Sequence, residues 1–322
     1  MSTSLLYLSR PDVQSIGVTP SDARNAVLRA FSDHAAGLNR SLPKAWLDLG
    51  PGHGFQSMPA ASASSGIATL KWVAMAPVPA GSTAQGINGI LCVSDYTSGA
   101  PVAVMDADEI TLIRTAAMSA AAAVYLAPKD PKVIGFVGCG QQAYAHLDAF
   151  LDLFPNLSAV VAFSRSQSSA EALAGEARNR GLKAETTSNI DTLLSQSDVV
   201  ISMVPGAPGL TPFLDAAKMP VSSFASAVDI GRSWIPSQLP AFDLLATDSL
   251  DQSRAPYDGM GKPVDTVQFS TDLVELAASA PKGTASKRAM FCFRGFALAD
   301  LALADLVVNR ARDRGIGVLL ER

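Results

Sequence analysis

Between Val133 and Ala143 the chain reads VIGFVGCGQQA, an apolar run ending in Gly138, Gly140 and Ala143 at the G-x-G-x-x-[G/A] spacing of a dinucleotide-binding turn. The first glycine permits a tight strand-to-helix turn, the second lets the backbone approach a pyrophosphate, and the small third residue lets helix pack on strand. The N–H groups and positive end of a helix beginning near Gln141 then hold the anion. Glycines also make ordinary strand–helix turns, so the context carries the assignment. An apolar strand precedes, the helix-like AYAHLDAFLDLF follows, and a second strand, LSAVVAF, arrives about 20 residues on. That strand ends in Ser164, Arg165 and Ser166, where a cofactor lacking a 2′-phosphate is usually met by an acid. An Arg flanked by hydroxyls suits the 2′-phosphate of NADP, since a guanidinium offers bidentate donors to phosphate. The alternative has Arg165 stacked on adenine and Ser164 serving NAD.

Three further residues have the chemistry for a small charged substrate. Lys71 sits in a strand otherwise apolar (Ala68, Leu70, Trp72, Val73), a costly place for an amine unless it meets an anion. Arg114 stands at the head of a helix with almost no other charge. Composition alone divides evenly between anion-binding roles for both and side chains that snorkel to the surface. Asp229 ends the apolar strand SSFASAVD, at the carboxyl edge where open α/β sheets place their ligands. An acid there can exchange a proton with a substrate nitrogen or hold an iminium positive. It can equally cap the following IGRSW turn, a role that tolerates Asn.

Around these residues the chain falls into three zones. A helix from Ser21 to Gly37, capped by Ser21 or Asp22, precedes the strand-like KAWLDLG, ATLKWVAMA, GILCVSD and PVAVMD. From Thr111 an alanine-rich helix leads into VIGFVG, AVVAFS, DVVISMVPG, SSFASAVD and DLLATDS, alternating with helices as in a doubly wound parallel sheet. A last helix spans Phe296 to Arg312, its acids early and arginines late in accord with the helix dipole. The expected organisation is a Rossmann domain over residues 114–295 and an α+β domain over 1–113, completed by 296–322. Residues 252–267, rich in Gly, Pro and charge, read as a surface loop.

Bulk properties narrow the class. At 322 residues and net charge −4, the chain offers no electrostatic case for nucleic acid or anionic membrane as partner. Its start, MSTSLLYLSRPD, lacks the charged and apolar regions of a signal peptide, and the alanine-rich segment after Arg114 falls short of the roughly 20 residues of a membrane span. A cytoplasmic enzyme is expected. Cys92, Cys139 and Cys292 are scattered among apolar neighbours and assigned to packing, and His34, His53 and His146 are too separated to suggest a metal site.

CVSDYTSGAPVAVMDADEITLIRTAAMSA, Cys92 to Ala120, is similar to the D-x-x-T-G-x-P-x-A-x-x-D-x-x-x-(I/L)-T-x-x-R-T-A-A pattern of the ornithine cyclodeaminase/mu-crystallin family, with Ser98 in place of the first Thr. The matching positions are Asp95, Gly99, Pro101, Ala103, Asp106, Thr111 and Arg114. LKWVAMAP around Lys71, the turn at Gly138, SAVD ending in Asp229, and FRGFALADLALAD extend the resemblance over most of the chain. It implies an NAD(H)- or NADP(H)-binding homodimer that pairs through the first domain. It also implies that Lys71, Arg114 and the proline-linked Lys44 of LPKAW bind a substrate carboxylate, with Asp229 as acid/base. Arg114, Thr115, Val204 and Pro205 complete the candidate cofactor contacts. The implied activity is reduction of a small α-imino acid. An excess of cations (Lys44, Lys71, Arg114, Arg232, Arg294) suggests iminosuccinate, giving aspartate, with 1-pyrroline-2-carboxylate, giving proline, next. Ornithine cyclodeaminase and non-catalytic mu-crystallin-like binding are the alternatives. The chain departs from the family's Gly-Ala-Asp then Pro-Gly-Lys by reading Ala-Val-Asp then Ile-Gly-Arg, with Arg232 where cyclodeaminases carry Lys, which puts ornithine handling in doubt.

Overall fold

The structure, a computed structural model, describes residues 4–78, 86–206, 209–254, 267–279 and 287–322. In chain order the first elements are β1 (Ser4–Leu8), α1 (Arg10–Ser15), α2 (Pro20–Ala35), β2 (Asn39–Ser41), β3 (Ala45–Asp48), β4 (Gly54–Ser62), β5 (Ile67–Met75), β6 (Ile87–Asp95), β7 (Pro101–Asp106) and α3 (Ala107–Leu126). Next come β8 (Val133–Val137), α4 (Gln141–Leu153), β9 (Ala159–Phe163), α5 (Gln167–Asn179), β10 (Lys183–Thr186), α6 (Ile190–Gln196), β11 (Val199–Ser202) and β12 (Ser223–Ala227). The chain closes with β13 (Leu244–Thr247), α7 (Leu250–Arg254), β14 (Thr271–Asp272), α8 (Leu273–Ala278), β15 (Arg288–Cys292), α9 (Leu298–Arg314) and β16 (Val318–Glu321). Two compact units result: Met1–Arg114 with Ser249–Thr266 and Gly295–Arg322, and Thr115–Asp248 with Val267–Arg294. The division falls inside α3, one residue beyond the expected boundary, and it assigns 249–266 to the first unit. Most of the expected loop, residues 255–266, lies outside the described residues. Gln252 is buried on α7.

The first unit is built on a mixed sheet in the order β16-β1-β7-β6-β5-β4-β2, with β3 also on β4. Register fixes which side chains share a face. Met58, Lys71, Leu91, Met105 and Leu8 stand opposite one another across five strands and are all buried. One residue away, Pro59, Leu70, Cys92, Val104, Tyr7 and Val318 form the corresponding row on the other face, where Leu70, Tyr7 and Val318 are exposed. Cys92 is therefore half-buried on an open apolar face, not a core thiol.

Helix α9 packs on β4 and β5, and α2 packs on α9. The cap of α2 is Thr19, not Ser21 or Asp22. Pro20 takes the first helical position, and Thr19 and Asp22 close a reciprocal capping box. Helix α3 starts four residues before the expected Thr111, because Asp106 Oδ1 accepts the N–H groups of Asp108 and Glu109. Arg114 therefore lies two turns into the helix. At 20 residues α3 also reaches the length and apolarity of a membrane span. Nearly all of it from Ala116 to Ala123 is buried inside the protein.

The second unit is a Rossmann-type doubly wound sheet, all parallel, in the order β10-β9-β8-β11-β12-β15-β13-β14. The order reverses between β8 and β11, and such a reversal opens a crevice at the carboxyl ends of the two strands. Its core packs Val137, Val161, Leu193, Val200, Ala225, Trp234 and Met290 together.

Candidate active site

At the end of β8, Gly138 has φ +94°, and a Cβ added there would lie 2.9 Å from the Met203 carbonyl oxygen. Only glycine fits. Its N–H donates to the Phe163 carbonyl at 2.9 Å, tying the turn to the end of β9. Gly140 caps α4 with no side-chain hydrogen bond to the first turn, and a Cβ there would meet nothing within 4 Å. The helix N-terminus thus presents its N–H groups to open space, with Gln141 exposed and Ala143 buried against the fold. This cradle fits a pyrophosphate. Burial pushes the Cys139 thiol up to about 12, so it stays neutral and packs the turn.

At the end of β9, Ser164 is half-buried and Arg165 exposed. No carboxylate among the described residues pairs with Arg165. Ser166 is engaged elsewhere: its hydroxyl caps α5 by accepting from the Ser169 N–H, and its own N–H donates to Ser164 Oγ. Val204 and Pro205 follow β11, and Thr115 is buried on α3.

Asp229, one residue beyond the Ser202-bonded N–H of Val228, is buried and held by four donors. Ser202 Oγ and the Gly231 N–H donate to Oδ1 at 3.2 and 3.1 Å, and Ser233 Oγ and the Val204 N–H donate to Oδ2 at 2.5 and 3.4 Å. Trp234 Nε1 donates to Ser202 Oγ at 2.9 Å, fixing that hydroxyl in turn. Burial raises the Asp229 pKa from the usual carboxylate range while the four donors pull it down, and burial prevails. The bond from Gly231 is the expected turn cap, so the capping and acid/base readings share one carboxylate. Ile230, next in the chain, has φ +63°, the described non-glycine residue in the left-handed region. Arg294 Nη1 donates to its carbonyl at 3.3 Å while the guanidinium stacks on Phe269. Two of the five cations grouped from sequence, Arg232 and Arg294, thus belong to this turn region; the Arg232 guanidinium lies against Gly206.

The other three gather in the first unit. Lys71 Nζ donates to Asp300 Oδ1 at 2.7 Å and to Thr111 Oγ1 at 3.4 Å, and Arg114 Nε lies 3.3 Å from the same Asp300 oxygen. Lys71 and Asp300 are each 1% exposed, so neither side chain snorkels to solvent. Burial first, then the charges of Arg114 and Lys44, lower the Lys71 pKa to about 8, against the opposing pull of Asp300. The Lys44 ammonium is 3.6 Å from the place of a Cβ on Gly295. Lys71 and Arg114 thus share one oxygen of Asp300, and the charge of Lys44 acts on Lys71 from nearby. From sequence, Asp300 is one of the early acids of the last helix, with no site role assigned to it. Its place in FALADLALAD, an acid flanked by alanine and leucine on a helix destined for burial, was the available signal.

Of the remaining candidates, His146 is fully buried and unconnected to either cluster. Its Nδ1 donates to the Gln142 carbonyl at 2.7 Å, so Nε2 accepts from Ser119 Oγ at 2.8 Å, and Ser119 in turn accepts from Ser226 at 2.9 Å. Burial pushes its pKa down to about 4. Among the described residues no group of His, Cys, Asp and Glu side chains has metal-binding geometry.

The profile of the ornithine cyclodeaminase/mu-crystallin family matches residues 7–216. The chain belongs to that family. It is 27% identical over 321 residues to the alanine dehydrogenase of Archaeoglobus fulgidus, covering 97% of each chain. It is 23% identical over 265 residues to a Delta(1)-pyrroline-2-carboxylate reductase of Bacillus cereus, covering 78% of this chain and 80% of the relative. Among solved structures, an archaeal alanine dehydrogenase dimer with bound NAD superposes with a TM-score of 0.85 at 25% identity, over 98% of this chain and 99% of the other. The iminosuccinate reductase of Paracoccus denitrificans with NAD+ shares the fold at a TM-score of 0.83 and 21% identity, over 99% of this chain and 100% of the other. These relatives are dehydrogenases or reductases of amino or imino acids, the two solved structures hold NAD or NAD+, and this chain has the family's dinucleotide-binding fold.

Proposed function

We propose that this family member reduces a small α-imino acid to an L-amino acid with NADPH or NADH. Iminosuccinate, yielding L-aspartate, ranks first, and 1-pyrroline-2-carboxylate, yielding L-proline, second. The observation that carries this reading is the buried placement of Lys71 and Arg114 on the carboxylate of Asp300, with the half-buried Lys44 near enough for its charge to act on Lys71. A buried excess of positive charge is costly until an anion joins it. A second carboxylate on the substrate makes use of the third cation. In this reading Lys71 and Arg114 hold the α-carboxylate, and Lys44 receives the distal one.

Asp229 has the complementary task. Its carboxylate keeps the substrate nitrogen protonated as iminium, so that the carbon accepts hydride and the C=N bond becomes C–N. A carboxyl whose pKa is raised by burial holds its proton more readily than a solvated one, as an acid that exchanges a proton with the substrate nitrogen must. When bound, the nicotinamide supplies the hydride. Gly138, Gly140, Gln141 and Ala143 would hold its pyrophosphate. Ser164 and Arg165 would meet the adenosine ribose, with Arg165 favouring the 2′-phosphate of NADP. Thr115, Val204 and Pro205 are the remaining contacts in this reading.

We further infer a homodimer formed through the open face of the first unit's sheet. The similar archaeal enzyme is itself a dimer.

Following the absorbance of NADPH and of NADH with oxaloacetate, pyruvate and other 2-oxo acids plus ammonia, and with 1-pyrroline-2-carboxylate, tests the assignment. Pyruvate is included because of the similar alanine dehydrogenase. Oxidation of reduced cofactor fastest with oxaloacetate and ammonia is the expected result. Ammonia release from ornithine without net cofactor consumption would replace the reading with a cyclodeaminase, and inactivity with every substrate would leave a binding protein.

A further inference from the structure

The reading of Lys71 as a carboxylate-binding residue assigns no role to Asp300, which the geometry makes central. Its Oδ1 accepts a hydrogen bond from Lys71 Nζ at 2.7 Å and lies 3.3 Å from Arg114 Nε, an ion pair without a hydrogen bond. Its Oδ2 is buried and makes no hydrogen bond. Asp300 stands in the first turn of α9, where an acid ordinarily serves the helix N-terminus. Here the N-cap, Ala297, makes no side-chain cap, and the carboxylate's hydrogen bond runs across to Lys71 on β5. The charged groups facing Lys71 are Arg114 from α3, Lys44 from the segment before β3, and Asp300 from α9, with the Thr111 hydroxyl beside them. Both other charges oppose an ammonium at that position. Among the described residues, Asp300 alone favours it.

Resting on the reading of Lys71 above, we propose that Asp300 is a positioning residue that keeps Lys71 charged and seated beside Arg114, so that the pair meets a substrate carboxylate as a ready-made cationic fork. Without Asp300, two buried cations stand against each other, and the least costly relief is loss of the Lys71 proton, because a guanidinium does not give one up. A neutral amine then faces the substrate carboxylate and the electrostatic grip weakens. The pKa of about 8 for Lys71 fits a group whose charge depends on this one neighbour.

The experiment is an NMR pH titration of the Lys71 Nζ–Cε resonance in lysine-labelled protein, assigned by its loss in Lys71→Met, for wild type, Asp300→Asn and Asp300→Glu. The expected result is a midpoint lower by about one pH unit or more in Asp300→Asn and restored in Asp300→Glu. In parallel, KM for the imino acid rises at least ~5-fold in Asp300→Asn at about pH 8, with a smaller change in kcat, and the gap narrows near pH 6 as Lys71 is protonated in both proteins. A midpoint unmoved in Asp300→Asn, or equal loss of activity at every pH in both variants, overturns the proposal and makes Asp300 a plain brace of the fold. If Asp300→Asn does not fold, the double variant Lys71→Met/Asp300→Asn should, because the damage lies in an unpaired ammonium. Failure of the double variant as well also overturns it. A shifted midpoint in a protein that reduces no imino acid would sink the reductase reading and leave the Asp300–Lys71 coupling standing.

Discussion

Asp229 shows how one residue can satisfy a structural and a chemical demand together. Each of its oxygens accepts one hydroxyl and one backbone N–H. Sequence reasoning treats Asn as a tolerated replacement for a turn cap, but this geometry does not. A serine hydroxyl can rotate to accept, whereas a backbone N–H cannot, so either orientation of an Asn amide sets its NH2 against the N–H of Val204 or of Gly231. Asp229→Asn is therefore expected to lower stability by about 1–3 kcal/mol, the cost of a buried unmatched donor. It should also lower kcat by roughly 10²- to 10⁴-fold, the range for a positioned acid/base. Rates measured well below the variant's Tm separate the two effects, and full activity in the folded variant would remove Asp229 from the chemistry. His146 provides a second test, of pH dependence. Its folded pKa of about 4 lies below the ordinary 6.5, so the unfolded chain takes up the proton first. Stability from this group is complete above about pH 6.5 and is lost as pH falls toward 4, by up to ~3 kcal/mol in all. His146→Gln should flatten that limb of a Tm-against-pH curve, and an unchanged slope would show that other groups govern it.

Among elements, the two glycines of the nucleotide turn separate fold from ligand. Gly138→Ala places a methyl 2.9 Å from the Met203 carbonyl oxygen at a φ of +94°, so a lowered Tm is expected even without cofactor. Gly140→Ala meets nothing within 4 Å, and the residue's φ of −84° suits any side chain. Its Tm should stay near wild type while dinucleotide affinity falls at least ~10-fold, because the methyl occupies space left for the ligand; calorimetry on both variants checks the contrast, and undiminished affinity in Gly140→Ala would argue against a phosphate there. Strands β8, β9, β11 and β12 were legible in sequence because parallel strands covered on both faces read as continuous apolar runs. Strand β4 was not, since GFQSMPAAS contains a glycine and a proline and offers little β-branched bulk. The same limit explains Asp300. The pattern of FALADLALAD specifies a helix, but which of its sides meets Lys71 depends on α9 packing across β4 and β5 from more than 200 positions away, as the Lys71–Asp300 separation of 229 records.

For the whole molecule, the outer face of the first unit's sheet is the feature that a single chain leaves unsettled. The row Pro59–Leu70–Cys92–Val104–Tyr7–Val318 crosses six strands, and Trp72 pairs with Ile90 beside it. Trp72 and Ile90 are 39% and 48% exposed, and Phe55 stacks on Trp72 with ring centroids 5.2 Å apart. An apolar surface continuous over that many strands is unusual for a chain that remains single, and the two-fold pairing proposed above would cover it with a copy of itself. Sedimentation at micromolar concentration should give twice the 33.4 kDa chain mass. Trp72→Glu combined with Ile90→Glu should give a single chain with native circular dichroism. Their side chains point away from the buried row that includes Lys71, so a carboxylate there meets water in the separated chain and an apolar partner in the pair. A wild-type protein that sediments as one chain, or a dimer indifferent to both glutamates, would move the pairing surface elsewhere and leave this apolar face without its partner.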